Sequence, residues 1–180
     1  MNVYENCPTF ITQRFTLRLI HKEDAAGLLR VYSDTQAQPY FNADNCTGDF
    51  CINTLESMQE CVNMWIWSYD NGWFVRWTIL EKGTPIGTVE MFRQDEVNRR
   101  GVLRIDVRSD REFEDVHDEL LETMLPELFD MFGCDQIVTK AKSFMVQRKS
   151  ALAVHGFAPS DTVLVGHDGT KYGDYWLRRA

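Results

Sequence analysis

Two acids stand alone inside apolar, strand-like runs: Glu90 in IGTVEMFR and Asp106 in GVLRIDV. A carboxylate in such a place can take a proton from a bound group, directly or through water, so this pair holds the candidate proton acceptors. A lone strand acid also serves as a plain solvent-facing residue, and both uses stay open. The stretch RSDREFEDVHDEL, residues 108–120, joins the Asp106 strand to a helix-like run. In many α/β proteins that junction binds phosphate, yet here it is crowded with carboxylates. Ser109 with Glu112 matches a capping box, and acids in a first helical turn suit the helix dipole, so capping explains them without a ligand. Asp110, Glu114 and Asp118 fit no known cation-loop spacing. His21, His117, His155 and His167 have neither metal-ligand spacing nor a Ser or Cys partner in a motif, so no metal site is expected. Lys140, Lys142, Arg148 and Lys149 make a basic cluster that reads as a solvated face or as a phosphate contact.

Composition narrows the class. With 180 residues the chain makes one ordinary domain that buries roughly 70% of its unfolded surface. Its 27 acids and 19 bases give a formal charge of -8, which disfavours nucleic acid and anionic membrane surfaces as partners. Cys7, Cys46, Cys51, Cys61 and Cys134 are an odd set without a C-x-x-C pair, and the start MNVYENCPTF lacks a signal-peptide pattern. The expectation is a reduced, cytoplasmic protein whose cysteines act as small hydrophobes.

The elements that must position these groups follow from periodicity. RFTLRLI alternates as a strand over residues 15–20, and Ala25, Leu28, Leu29 and Tyr32 share one helical face. Asn53 with Glu56 predicts the start of a second helix carrying Leu55, Met58, Val62, Trp65 and Ile66. Period two returns in WFVRWTIL (73–80), IGTVEMFR (86–93) and GVLRIDV (101–107), which predicts a three-strand meander. Residues 110–132 are helical in spacing and end at Gly133, with Pro126 expected to kink them near Glu122 unless the helix begins late. A fifth strand (136–141), a short helix (146–155) stopped by Gly156 and a final hairpin turning at GHDG complete the chain.

That order of elements resembles the GNAT (Gcn5-related N-acetyltransferase) superfamily, in the branch of ribosomal-protein alanine N-acetyltransferases. TQRFTLRLIHKEDAAGLLRVYSD is similar to that branch's opening strand and acidic helix start, WTILEKGTPIGTVEMF to its W-x-I hairpin with I-G-T, and VHGF to its K-x-G-F. The resemblance implies an α+β fold: a mixed, mostly antiparallel central sheet, splayed after the fourth strand and flanked by helices, in a single domain over residues 1–180. It implies acetyl-CoA as co-substrate, held in the splay by main-chain groups of Ile105, Asp106 and Val107, with Arg108 and Arg111 the bases nearest its phosphates. It also implies Asp106 or Glu90 as general base, a small-molecule or peptide amine as acceptor, and allows a homodimer. Trp65, Trp67, Trp73 and Trp77 are candidate walls of an acceptor pocket, with Trp67 off the apolar stripe of its helix.

The chain departs from the family where coenzyme A is gripped. The R/Q-x-x-G-x-G/A turn falls on Glu112, Phe113, Glu114, Asp115, Val116 and His117, without either small residue. Like unit charges about 4 Å apart repel by roughly 4 kcal/mol at an effective dielectric of 20, so each close acid costs a phosphate tenfold or more in affinity. The family's N-x-x-S falls on Met145 and Arg148, and its catalytic tyrosine on Leu152. Two readings follow: an N-acyltransferase with weakened coenzyme A binding, or an inactive GNAT-fold binding or regulatory module.

Overall fold

The computed structural model describes residues 2–46, 48 and 50–180. Strands β1 (Phe10–Ile11) and β2 (Phe15–Leu19) lead through a 3-10 turn to α1 (Ala25–Tyr32), and α2 (Leu55–Asp70) follows a long loop. The meander is β3 (Val75–Glu81), β4 (Thr84–Asp95) and β5 (Arg100–Val107). Then come α3 (Glu114–Phe132), β6 (Gln136–Lys140), α4 (Val146–Val154), β7 (Ala158–Pro159), β8 (Leu164–Val165), β9 (Lys171–Tyr172) and β10 (Tyr175–Arg179). Eight strands form one sheet in the order β1-β2-β3-β4-β5-β6-β10-β7, and only the β5–β6 pair is parallel. This is the mixed α+β sheet that the resemblance implies.

One face of the sheet packs on α3. Trp77, Val89, Met91, Leu103 and Ile105 meet Val116, Leu120, Leu121, Met124 and Leu128 in the main core. Each such fully buried side chain contributes about 1.5 to 3 kcal/mol of transfer free energy. The other face lies beneath α1 and α2, whose Leu28, Val31, Met58, Val62 and Trp65 form a second cluster. Because strand side chains alternate, the same period that turns Val75, Trp77, Val89 and Ile105 into the main core turns Arg76, Thr78, Glu90 and Asp106 toward α1 and α2.

Two local expectations need correction, and of the alternatives for α3 the late start holds. Thr54, not Asn53, caps α2: its Oγ1 accepts the Ser57 N–H at 3.2 Å, while Asn53 Nδ2 points to Cys51 Sγ. Residues 109–113 are a 3-10 turn and a linker, so α3 begins late at Glu114 and continues through Pro126. Glu122, whose carbonyl loses its helical donor there, is exposed, so water can take that role. The GHDG turn does join β8 to β9, but β10 leaves that hairpin and pairs along all of β6, whose far edge would otherwise stay open. Gly133 ends α3 at φ 56 as a left-handed cap, with Cys134 N–H donating to Phe129 O.

Candidate active site

β5 and β6 pair only from Arg100–Leu103 to Gln136–Thr139, so the sheet splays beyond Leu103. The β4–β5 ladder runs on, with Arg108 N–H donating to Ile86 O at 2.9 Å. Antiparallel rungs bond alternately, so the Asp106 peptide faces Thr88, while those of Ile105 and Val107 face the splay. Gly87 sits at this point, where a Cβ would lie 2.2 Å from Asp106 O and bar so close an approach of the two strands.

Across the polar face, Arg76, Glu90 and Arg104 stand in register on three neighbouring strands. Arg76 Nη2 donates to Glu90 Oε2, and Arg104 Nη1 donates to Glu90 Oε1 at 2.8 Å. Arg76 also lies 3.9 Å from the Trp65 ring centroid and donates to Tyr32 Oη and Thr88 Oγ1. On the next rung Asp106 accepts from Tyr32 Oη and from Asn42 N–H, each at 3.3 Å, and its Oδ2 is 3.9 Å from Arg76 Nη1. Burial acts against ionised Glu90, but Arg76 and Arg104 outweigh it and hold its pKa below the usual range. Burial wins at Asp106, whose pKa is raised despite Arg76. The two candidate bases are therefore unlike: Glu90 is clamped as an anion, and Asp106 has the greater affinity for a proton.

The acidic turn is tied inward rather than capped. Glu112 accepts from Arg148 Nε at 2.9 Å and Nη2 at 2.7 Å, and from His117 Nε2 at 2.9 Å. Arg148 and His117 overcome the cost of burial and lower the Glu112 pKa to about 2. Burial keeps the His117 pKa below its ordinary value, so the neutral ring is the donor. This replaces the expected capping box: Ser109 opens the 3-10 turn, and Phe113 is the N-cap residue of α3. The turn's own amides are engaged, with Glu112 N–H on Ser109 O, Phe113 N–H on Arg111 O and Glu114 N–H on Gln147 Oε1. Arg108 pairs with Asp110, and Arg111 with Glu81 and Asp110. The basic cluster is dispersed too: Lys140 binds Asp44, Lys142 the Pro39 carbonyl, Lys149 the Ser143 carbonyl, and Arg148 is buried.

The acetyltransferase (GNAT) domain model matches residues 14–149, which hold the splay, both rungs and the acidic turn. The chain belongs to the GNAT acetyltransferase family. No curated protein sequence matches it significantly. Solved structures similar to this GNAT chain include RimL, a ribosomal alpha-N-protein acetyltransferase in complex with coenzyme A, at 11% identity, with TM-score 0.74 over 96% of this chain and 98% of that one. Mycobacterium smegmatis RimJ in complex with CoA-disulfide matches at 18% identity and TM-score 0.72, over 94% of this chain and 85% of that one. The self-immunity acetyltransferase MccE in complex with acetyl-CoA and AMP matches at 13% and 0.71, over 93% of each. At these identities the likeness is one of fold.

Beside the charged rungs this GNAT domain has a cavity of about 580 Å³, the size of a small-molecule site. Phe50, Trp73, Phe74 and Phe92 are among its walls, and Glu90 and Arg104 supply its charged groups. Of the tryptophans expected to wall a pocket, Trp73 does so. Trp65 and Trp77 are buried in the two cores, and Trp67 lies edge-on to Trp73 at 4.6 Å on the surface. Burial raises the Cys46 and Cys61 thiols on the cavity wall, Cys61 to about 11, which keeps them protonated and weakly nucleophilic. No group of three or more metal-ligating side chains occurs among the described residues, and no described helix is long and apolar enough to cross a membrane. Sequence reasoning missed Tyr32, Arg76 and Arg104. The available signal was parity, since Arg76, Glu90, Arg104 and Asp106 all fall on the strand face opposite the main apolar core.

Proposed function

We propose that this chain is an N-acyltransferase that moves an acetyl group from acetyl-CoA to an amine and holds coenzyme A weakly. The observation that carries this reading is the splay beside the charged rungs. There, the peptide groups of Ile105 and Val107 face an edge without a strand partner, on the strand that also bears Asp106. Those groups fit the amides of a pantetheine arm. The acidic turn does not fit the diphosphate well, because its Glu112, Phe113 and Glu114 amides are used internally and Glu112 already holds Arg148. Arg108 and Arg111 remain the bases nearest to phosphates, each engaged with acids.

In this reading Asp106 is the base and Glu90 the fixed anion that orders Arg76 and Arg104. A carboxylate with a raised pKa is the better proton acceptor. The amine nitrogen forms the amide C–N bond, the thioester C–S bond breaks, Asp106 receives the amine proton, and the sulfur leaves as thiolate and takes that proton back from Asp106 through water. The acceptor is an amine seated in the cavity; Asp106 does not line that cavity, so it takes the proton through water. Calorimetric titration with acetyl-CoA at physiological salt tests the reading: a dissociation constant at or below about tens of micromolar supports it. Absence of heat at millimolar ligand favours a second reading, a GNAT-fold binding module, for which the closed Glu112–Arg148 pair is the specific argument.

A further inference from the structure

An arginine on the cavity wall has an unmet donor. Arg104 is nine-tenths buried; its Nη1 donates to Glu90 and Cys46 Sγ and its Nη2 to Asp44 O, while its Nε has no partner among the described residues. Arg76, behind it on the same rung, also has an unpartnered Nε. A guanidinium gives up strong hydration when buried, and an unpaired N–H retains that cost until an acceptor oxygen reaches it. The charge balance points the same way. Two arginines share Glu90 on this rung, with Asp106 3.9 Å from Arg76 on the next, so Arg104 stands as a cation at a cavity wall that is otherwise mostly apolar.

We propose that the cavity binds a small molecule with an aromatic or aliphatic body and a carbonyl or carboxylate oxygen that docks on Arg104. Its body lies against Phe50, Trp73, Phe74 and Phe92, and its oxygen accepts from the guanidinium. This rests on the acyltransferase reading for the ligand's role as acceptor; the binding itself does not depend on coenzyme A. A protonated amine is rejected at this wall, which favours the neutral amine that acyl transfer requires.

The test is calorimetry on the full chain with three probes of equal shape: phenylpropionate, phenylpropionamide and phenylpropylamine. The acid and the amide bind, and the cationic amine binds roughly tenfold or more weakly. Arg104→Lys keeps the charge but removes the Nε donor, and lowers affinity for the acid and the amide roughly tenfold. Ile52→Trp, which adds bulk to the cavity wall and leaves Arg104 and Glu90 unchanged, abolishes binding of both while the protein stays folded by circular dichroism. Equal affinity for all three probes, preference for the amine, or no binding at millimolar concentration overturns the inference. Because no coenzyme A is present, these outcomes are independent of the acetyl-CoA titration.

Discussion

Glu112 and Arg148, 36 residues apart in the chain, meet through two hydrogen bonds of 2.9 and 2.7 Å with both side chains almost wholly buried. The acid that, read along the chain, opposes phosphate is in fact a partner for the arginine of α4.

The pair makes the protein acid-sensitive. The folded pKa of Glu112, about 2, lies below its ordinary 4.5, so the stabilisation is complete above about pH 4.5 and is lost as the pH falls toward 2. Thermal melting followed across that window is expected to show a steep loss for the wild type and a shallower one for Glu112→Gln. Breaking the pair by removing one partner also costs about 3 to 5 kcal/mol at neutral pH, measured by urea unfolding. In the acyltransferase reading, coenzyme A affinity of Glu112→Gln rises roughly tenfold, because Arg148 is freed from its carboxylate.

The Arg76–Glu90 pair is buried on both sides, at 1% and 2% side-chain exposure. Arg76→Leu leaves Glu90 with Arg104 alone and is expected to cost about 3 to 5 kcal/mol. The Arg76→Leu, Glu90→Leu double variant is expected to be less damaged than the sum of the single changes, because both single changes lose the same Arg76–Glu90 pair, although Arg104 then lacks its carboxylate. Urea denaturation of the four proteins measures this directly.

Asp106→Asn conserves shape and removes the proton acceptor. The turnover rate for acetyl transfer to an amine is expected to fall about 100-fold or more, with little change in melting temperature. Activity of the wild type falls as the pH drops through the raised Asp106 pKa, since the protonated carboxyl no longer accepts. Glu90→Gln is expected to lose stability chiefly, which separates the two acids by their readouts.

Thr54→Ala removes the cap of α2 and is expected to cost about 1 kcal/mol, whereas Asn53→Ala stays within a few tenths. Thermal or urea unfolding distinguishes the two positions.

The elements were legible because each buries one face and carries the matching period. Leu120, Met124 and Leu128 on α3 announce a helix, and Val75, Trp77 and Ile79 on β3 announce a strand. The final segment was not legible. Tyr175–Arg179 alternates well enough for the return of a hairpin, and only the open edge of β6 decides that it pairs there. The Ser109–Glu112 spacing satisfies a capping box in the same way, yet a buried guanidinium 36 residues on binds the glutamate more strongly than a helix end would.

The periods, the apolar faces, the likeness to GNAT proteins and the set of acids able to do chemistry can be read along the chain. Which charge meets which is set only in the folded sheet. Alternation places Arg76, Glu90, Arg104 and Asp106 on a common face, but strand register and the burial imposed by α1 and α2 bring two arginines onto Glu90 and leave Asp106 with hydroxyl and amide partners. Electrostatic pairing acts over a few ångströms of space rather than along the chain, so proton affinity at each acid is a property of the packed sheet.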